Sequence, residues 1–526
     1  MRLLWSNWLG AFGGFRLPLI SVIIVLLEPI VLLIDPLGFS SAADDVSGRI
    51  IARVAAPFYG YAADDPTGVS PATRDIVVVL IDDDTVAQRE TYWPLPYEDQ
   101  ADIYKKILRY APAFVFADII YTYDRGGLEA MMTDVKSFAE RRTTLASIDP
   151  NRPGLILGTI GEAVSWSNSE TLDFVRASFD TALVSSAQAD NVYPLYGRMK
   201  GDAETSALHP TAAVAMLEAA CLIDAQRATP RNYRGCAPGH LSRIQDAANP
   251  DSTEKSTLRI SWGSLSPRYW EPLPDYDMSD PAQVAELREK ARGCRFFEPT
   301  FTGRATEALR QLGWSFLPQL SDEARTNCPY ALTVPATYLD ANNPEMRAYL
   351  KEVFRDKFVI IGQSVVGALD RVEILDSEGP GVFTHAMALD NLLTQGADFA
   401  RPPVEFDTVF GYSSVAGLPL STIGLSSSSV LELLILMTLA LILYNTREQV
   451  AERFARTIPL RGVRAVVSVL YWFGVTAAVA FIFITLASVI FEWPAPNWLA
   501  IILYAFISDD LVKRWRRRGA AAGQAA

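Results

Sequence analysis

The sequence has few of the residues from which most catalytic and metal centres are built. Its 526 residues include three histidines and four cysteines, and no two cysteines have the C-x-x-C spacing of a zinc site. It also lacks a phosphate-binding glycine loop, a zinc-protease motif and a thiol active site. The turn Gly362 to Gly367 is one residue longer than the G-x-S-x-G turn of hydrolases. These absences argue against the common enzyme classes, and we expect no catalytic activity.

Long apolar runs are confined to the two ends of the chain. Half of all residues are apolar and the mean hydropathy is +0.14, more than a soluble domain usually needs. Transmembrane helices are predicted at residues 17–36, 428–445, 465–491 and 494–510. The first run is longer than the apolar part of a signal peptide and ends without a small-residue cleavage pattern. We therefore expect it to remain as a membrane helix.

The short segments beside these helices are basic and predict the orientation. Residues 1–16, 446–464 and 511–526 are assigned to the cytoplasm, because arginine and lysine flank the cytoplasmic ends of membrane helices. Four crossings satisfy all three assignments, so residues 37–427 lie outside. The prediction is a multi-pass protein of the bacterial inner membrane with one large periplasmic domain.

The external segment is strongly acidic. The net charge of the chain is −13, while residues 1–16, 446–464 and 509–526 carry +2, +3 and +3, which leaves −21 on the remainder. A domain with this negative charge is not expected to bind nucleic acid or anionic lipid. It allows metal ions, cationic ligands or a basic protein partner.

All four cysteines fall in the external segment. An even number of cysteines in an oxidising compartment predicts two disulfides rather than a metal site, with three possible connectivities. Pairing of neighbours in the sequence is the simplest hypothesis for the set Cys221, Cys236, Cys294 and Cys328.

The external segment alternates buried-strand and helix patterns. Residues 75–82 and 113–120 are short apolar runs separated by a helical pattern at 97–110, the order of a parallel crossover unit. A further strand at 357–362 and a helix at 383–394 follow far downstream. We predict an α/β domain with a mixed, largely parallel sheet. Residues 126–354 form a long insertion that carries the cysteines and the weaker strands 154–160 and 257–262.

Acidic residues follow the first two predicted strands. Because parallel sheets bind ligands beyond the carboxyl ends of their strands, these carboxylates could converge on a divalent cation or a cationic ligand. The alternative is that they cap helices and close turns. His385 begins a predicted helix. It is either a pH sensor or a ligand contact, or else a buried histidine bonded to a loop carbonyl. The candidate ligand residues are Asp82, Asp83, Asp118 and His385, the first three being the candidate metal ligands.

Two further features lie in the predicted membrane part. Glu28 is a carboxylate inside the first helix, either functional or facing the helix bundle. The loop 446–464 is either a lipid-facing topogenic helix or a docking site for a protein partner. Its candidate docking residues are Arg447, Arg453, Arg456, Arg461 and Arg464.

With these elements in place, the sequence resembles the CHASE family of extracellular sensors, type two. The matching pieces occur in the family's order, after one predicted membrane helix and before three. They are IVVVLIDDDT at 76–85, WPLP at 93–96, FVFADIIY at 114–121, FVIIG at 358–362 with Asp370, and PGVFTHAMALDNLL at 380–393. The resemblance covers residues 17–125 and 355–510. It implies an α/β sensory domain outside the membrane.

The chain departs from the family pattern in two ways. Tyr97 stands where the family usually has a basic residue, which puts an anion contact there in doubt. The family usually continues into a cytoplasmic kinase or cyclase module, whereas this sequence ends soon after its last predicted helix. We therefore expect an envelope sensor or signal-input subunit that acts through a separate protein, with homodimerisation allowed. The alternative is a structural or assembly subunit of a membrane complex.

Overall fold

A computed structural model describes most of the predicted external domain. The described residues are 52–59, 72–121, 124–139, 154–159, 171, 174–175, 179–184, 192–198, 208–249, 257–263, 300–316, 331–340, 344–366, 371–374, 377–399 and four residues between 467 and 475. Residues 52–400 form one compact unit, and residues 1–51 with 401–526 form another.

The centre of the domain is a six-stranded sheet in which every recorded pairing is parallel. Its strand order is β4-β3-β2-β10-β1-β9. The strands are β1 (Ile76–Asp82), β2 (Phe114–Ile120), β3 (Leu155–Thr159), β4 (Asp180–Leu183), β9 (Leu332–Pro335) and β10 (Phe358–Ser364). The apolar runs of β1, β2 and β10 are continuous because both faces of these strands are buried.

In the described part of the chain, three two-stranded antiparallel ribbons accompany the main sheet. They pair β5 (Val192–Pro194) with β8 (Thr257–Arg259), β6 (Tyr196–Gly197) with β7 (His209–Pro210), and β11 (Arg371–Ile374) with β12 (Ser377–Pro380). The ribbons give the domain the mixed character that the sequence predicts.

Helices cover both faces of the main sheet. One face packs against α2 (Tyr97–Leu108), α3 (Leu128–Ala139) and α7 (Pro344–Phe354). The other packs against α4 (Ala212–Gln226), α5 (Pro238–Asp246) and α8 (Val382–Gln395). A short helix α1 (Asp83–Gln88) follows β1, and α6 is Phe301–Phe316. The result is a three-layer α/β/α arrangement.

The strand and helix patterns that the sequence predicts are found within a few residues of their expected bounds. The long segment 126–354 does more than decorate the core, because it supplies β3, β4 and β9 to the main sheet. The central strand β10 comes from after that segment and lies between β1 and β2. Strands far apart in the sequence therefore meet in one sheet, which local patterns do not reveal.

Among the residues that the structure describes, two cysteines form a disulfide. Cys221 within α4 is bonded to Cys236, 15 residues later, which confirms the predicted neighbour pairing for these two cysteines. Cys294 and Cys328 lie outside the described residues.

Within the part of the chain that the structure describes, no helix combines the length and apolarity required to cross a bilayer. The four predicted membrane helices, apart from a few residues of the third, lie outside that part, as do Glu28 and the five arginines of the loop 446–464.

Candidate functional site

A glycine allows the carboxyl end of the main sheet to contact the start of α8. A Cβ atom added to Gly362 of β10 would lie 2.3 Å from the Cβ atom of Val382. No side chain fits in that gap, so the strand and the helix approach closely only with glycine at this position. The close approach places the next turn of α8, which carries His385, over the neighbouring strand β2.

His385 and Asp118 form a buried pair across this contact. The Nε2 atom of His385 lies 3.5 Å from Oδ2 of Asp118, and their side chains are 5% and 9% exposed. The edge of the imidazole ring also packs against Phe116, with the ring centres 5.8 Å apart. The pair therefore joins a helix to a central strand in an environment with little water.

A tyrosine completes the chain of polar contacts. The hydroxyl of Tyr193 in β5 lies 2.8 Å from Nδ1 of His385 and accepts a hydrogen bond of 3.1 Å from the backbone N–H of Ala213. Because that N–H occupies one lone pair of the hydroxyl, Tyr193 can use its own proton to donate to Nδ1. The imidazole then carries its proton on Nε2, facing Asp118.

Burial has a strong effect on the carboxyl group of this pair. The loss of solvation raises the pKa of Asp118 to about 7. Burial also raises the pKa of the Tyr193 hydroxyl, so the tyrosine keeps its proton near neutral pH. The site therefore contains a carboxyl group that changes charge near neutrality.

The two aspartates that end β1 have local roles. The side chain of Asp82 accepts hydrogen bonds of 2.8 Å from the backbone N–H and 2.6 Å from the hydroxyl of Thr85, and so caps α1. The carboxylate of Asp83 accepts from the backbone N–H of Val366 at 3.1 Å. These contacts are the helix-capping and turn chemistry that the sequence offered as the alternative to ligand binding.

The sheet separates these aspartates from the buried pair. Strand β10 lies between β1 and β2, so Asp82 and Asp118 stand two strand spacings apart, about 10 Å. No group of three or more His, Cys, Asp or Glu side chains that could hold a metal ion occurs among the residues described. The structure thus unites Asp118 with His385, and the divalent-cation site remains a sequence prediction.

The turn at residues 93–96 lies at the same end of the sheet and contacts a positively charged side chain. The guanidinium of Arg125 lies 4.8 Å from the ring centre of Tyr97. It donates hydrogen bonds to the carbonyl oxygens of Pro94, at 2.9 Å, and Leu95, at 3.2 Å. A positive charge is therefore present beside Tyr97, where the family usually has a basic residue, and it holds the turn.

A second buried polar cluster lies further along α8. Asp390 and Asn391 are both fully buried, and the hydroxyl of Tyr59 donates a hydrogen bond to the Asp390 carboxylate. The side-chain amide of Asn391 donates to the Tyr59 hydroxyl at 2.8 Å and accepts from the backbone N–H of Ser261 at 2.7 Å. Helix α8 is thereby bonded to the segment 52–59 at the start of the described domain.

Sequence reasoning missed Tyr193 and this second cluster. Tyr193 had no local signal, because it is 192 residues from His385 in the sequence. Asp390 and Asn391 did have one, since these adjacent polar residues interrupt the apolar run from Ala386 to Leu393. Buried polar groups require partners, so their occurrence predicts a contact even where the partner is unknown.

The fold and this site define a class: a parallel α/β domain whose polar site lies at the carboxyl end of its strands. Comparison with known protein families is more specific, because the model of the CHASE2 domain matches residues 50–418. The chain belongs to the CHASE2 domain family, a family of sensory extracellular domains rather than catalytic ones. No curated protein and no solved structure gives a significant match.

Proposed function

We propose that this protein is an envelope sensor of the inner membrane, whose periplasmic CHASE2 domain signals through a separate protein. The observation that supports this most is the position of α8. One helix carries His385 at the carboxyl end of the sheet and Asp390 with Asn391 against Tyr59. An event at the first site can therefore change the contacts of the second.

The two sites that α8 connects are suited to receive and to pass on a signal. The first is the input site and the second is the output site. The input lies where parallel sheets bind ligands, beyond the carboxyl ends of the strands. In the sequence, the output segment 52–59 follows the predicted first membrane helix at 17–36. Transmission requires that the ligand favour one of two arrangements of α8 against its neighbours.

Hydrogen–deuterium exchange of the full-length protein in native-like membranes tests this coupling. We expect His385→Gln to increase amide exchange in residues 52–59, because loosening α8 at the sheet weakens the hold of Asp390 and Asn391 on Tyr59. The matched control is Asp84→Asn, which alters an exposed polar residue at the same end of the sheet. Equal exchange in all three proteins would contradict the coupling.

The identity of co-purified proteins tests the wider function. Affinity purification of the full chain from native membranes should recover a kinase or a cyclase as the output protein. Recovery of a fixed stoichiometric envelope complex without such a protein would instead support the assembly subunit that the sequence offers as the alternative.

A further inference from the structure

A titratable pair joins helix α8 to the central sheet. Among the described residues, the side chain of His385 in α8 lies against the side chain of Asp118 in β2. The packing around it is apolar and includes Val382, Ala386 and Phe116. A change of charge in this pair therefore acts where the helix meets the strand and is screened by water much less than at the surface.

We propose that the stimulus of this sensor is the proton, which binds to the Asp118–His385 pair and alters the seating of α8 on the sheet. This inference rests on the proposed function, since it names the ligand of the same site. It requires no metal or organic molecule, and it uses a buried ionisable pair, one of the established devices of pH-sensing proteins.

The number of protons determines the direction of the hydrogen bonds in the pair. When Asp118 is ionised and the imidazole is neutral, Tyr193 donates to Nδ1 and the Nε2–H group faces the carboxylate. This state buries one net negative charge. It is also the state that the bond from Ala213 to Tyr193 favours, because the hydroxyl proton is then free to point at Nδ1.

Uptake of one proton by the imidazole, or by the Oδ2 atom of Asp118 that faces it, reverses the bond to Tyr193. If the proton stays on the imidazole, both ring nitrogens become donors. If the carboxyl group takes it and donates to Nε2, the remaining ring proton moves to Nδ1. In both forms Nδ1 donates to the Tyr193 oxygen, the hydroxyl must rotate away, and the buried net charge disappears. The two protonation states therefore need different arrangements of three elements: α8, β2 and β5.

The surroundings favour a response near neutral pH. Burial of the Asp118 carboxyl group raises its pKa to about 7. Of the titratable groups on the packed elements, Tyr193 faces the pair from β5, and burial raises its pKa, so it contributes no proton in this range. His385 faces Asp118 from α8 and shares the proton with it.

Infrared difference spectra of the full-length protein, recorded over a pH series, test the proposal. In the wild type we expect the carbonyl band of a protonated carboxyl group to appear as the pH falls through about 7, in agreement with the raised pKa of Asp118. The band should be lost in Asp118→Asn. It should shift in pH in His385→Gln and in Tyr193→Phe. Asp84→Asn, the exposed control, should leave it unchanged.

Nitrogen NMR of the histidine rings gives a second measurement that needs no change at Asp118. The chain has three histidines, so few signals overlap, and loss of one signal in His385→Gln assigns that ring. Its Nδ1 should change from acceptor to donor at the pH where the carboxyl band appears. An Nδ1 that remains an acceptor throughout, or a carboxyl band that survives in Asp118→Asn, would overturn the proposal.

The two hypotheses fail in different ways. If the band titrates but exchange in residues 52–59 is the same in wild type and His385→Gln, the proton site stands and the coupling is wrong. If exchange responds to His385→Gln but neither a carboxyl band nor the Nδ1 signal of His385 titrates near neutrality, the coupling stands and the stimulus is not the proton.

Discussion

The main sheet has an aspartate near each of its two ends, and the two have different partners. Asp75 is fully buried, and the side chain of Asp118 is 9% exposed. Asp75 precedes β1 at the amino end, where its carboxylate accepts from the Tyr233 hydroxyl and pairs with Arg231 and with Lys357, the latter at 3.2 Å. Asp118, near the carboxyl end, has His385 as its recorded ion-pair partner. Asp75 is paired with an arginine and a lysine, whereas Asp118 faces a histidine, the side chain whose charge depends most on pH near neutrality.

This difference separates a structural anchor from a responsive contact. Arginine keeps its charge at any physiological pH, so the Asp75 cluster fixes its elements in one arrangement. Burial lowers the pKa of Lys357 to about 8, but Arg231 keeps its positive charge beside the same carboxylate. The comparison indicates that the amino end holds the fold while the carboxyl end is free to respond.

The largest loss of stability is expected when the disulfide near the amino end of the sheet is removed. The bond between Cys221 and Cys236 closes the loop that carries both Arg231 and Tyr233 to Asp75. For a loop of this length, replacing both cysteines with serine should lower the free energy of unfolding by about 3 kcal/mol. Chemical unfolding of the solubilised full chain measures it. An unchanged unfolding free energy would mean that the loop is held without the disulfide.

A smaller loss is expected from Asp75→Asn. The substitution leaves Arg231 and Lys357 without their carboxylate, and we expect a cost of about 2 kcal/mol. This is less than for a fully buried pair, since both cations are partly exposed. The same unfolding experiment measures it, with the exposed Asp84→Asn as the matched control.

The contributions of the disulfide and of Asp75 to stability should also depend on each other. In the serine double variant the loop no longer holds Arg231 firmly, so Asp75→Asn should cost less there than in the wild type. Strictly additive losses would show that the loop and the anchor act separately, and would weaken the contrast between the two ends.

Much of the fold could be predicted from the sequence, because its main strands and helices have strong local patterns. The run at Ile76–Asp82 is apolar on both faces, and the helix at Tyr97–Leu108 has the expected periodicity. The order of strands could not be predicted in this way. The place of β10 between β1 and β2 depends on packing between segments more than 200 residues apart.

The candidate site could also be predicted only in part, because local patterns do not show which distant residues become neighbours. Asp118 and His385 were recognised as candidates from their places at the end of a strand and the start of a helix, and the structure brings them together. Asp82 and Asp83 gave the same signal in the sequence, but they serve the turn after β1. An acidic residue at a strand end looks the same whether it caps a helix or faces a ligand, and only its neighbours distinguish the two.

The smallest effect is expected at Asp82, which tests whether every aspartate at the carboxyl end belongs to the responsive site. As the cap of α1, Asp82 should contribute about 1 kcal/mol, so Asp82→Ala should lower thermal stability slightly. The loss should be the same with added calcium and with EDTA, because the capped backbone needs no metal. A calcium-dependent rise in the unfolding temperature of the wild type that Asp82→Ala abolishes would instead support the predicted cation site. It would also extend the responsive end of the sheet to β1, beyond the Asp118–His385 pair.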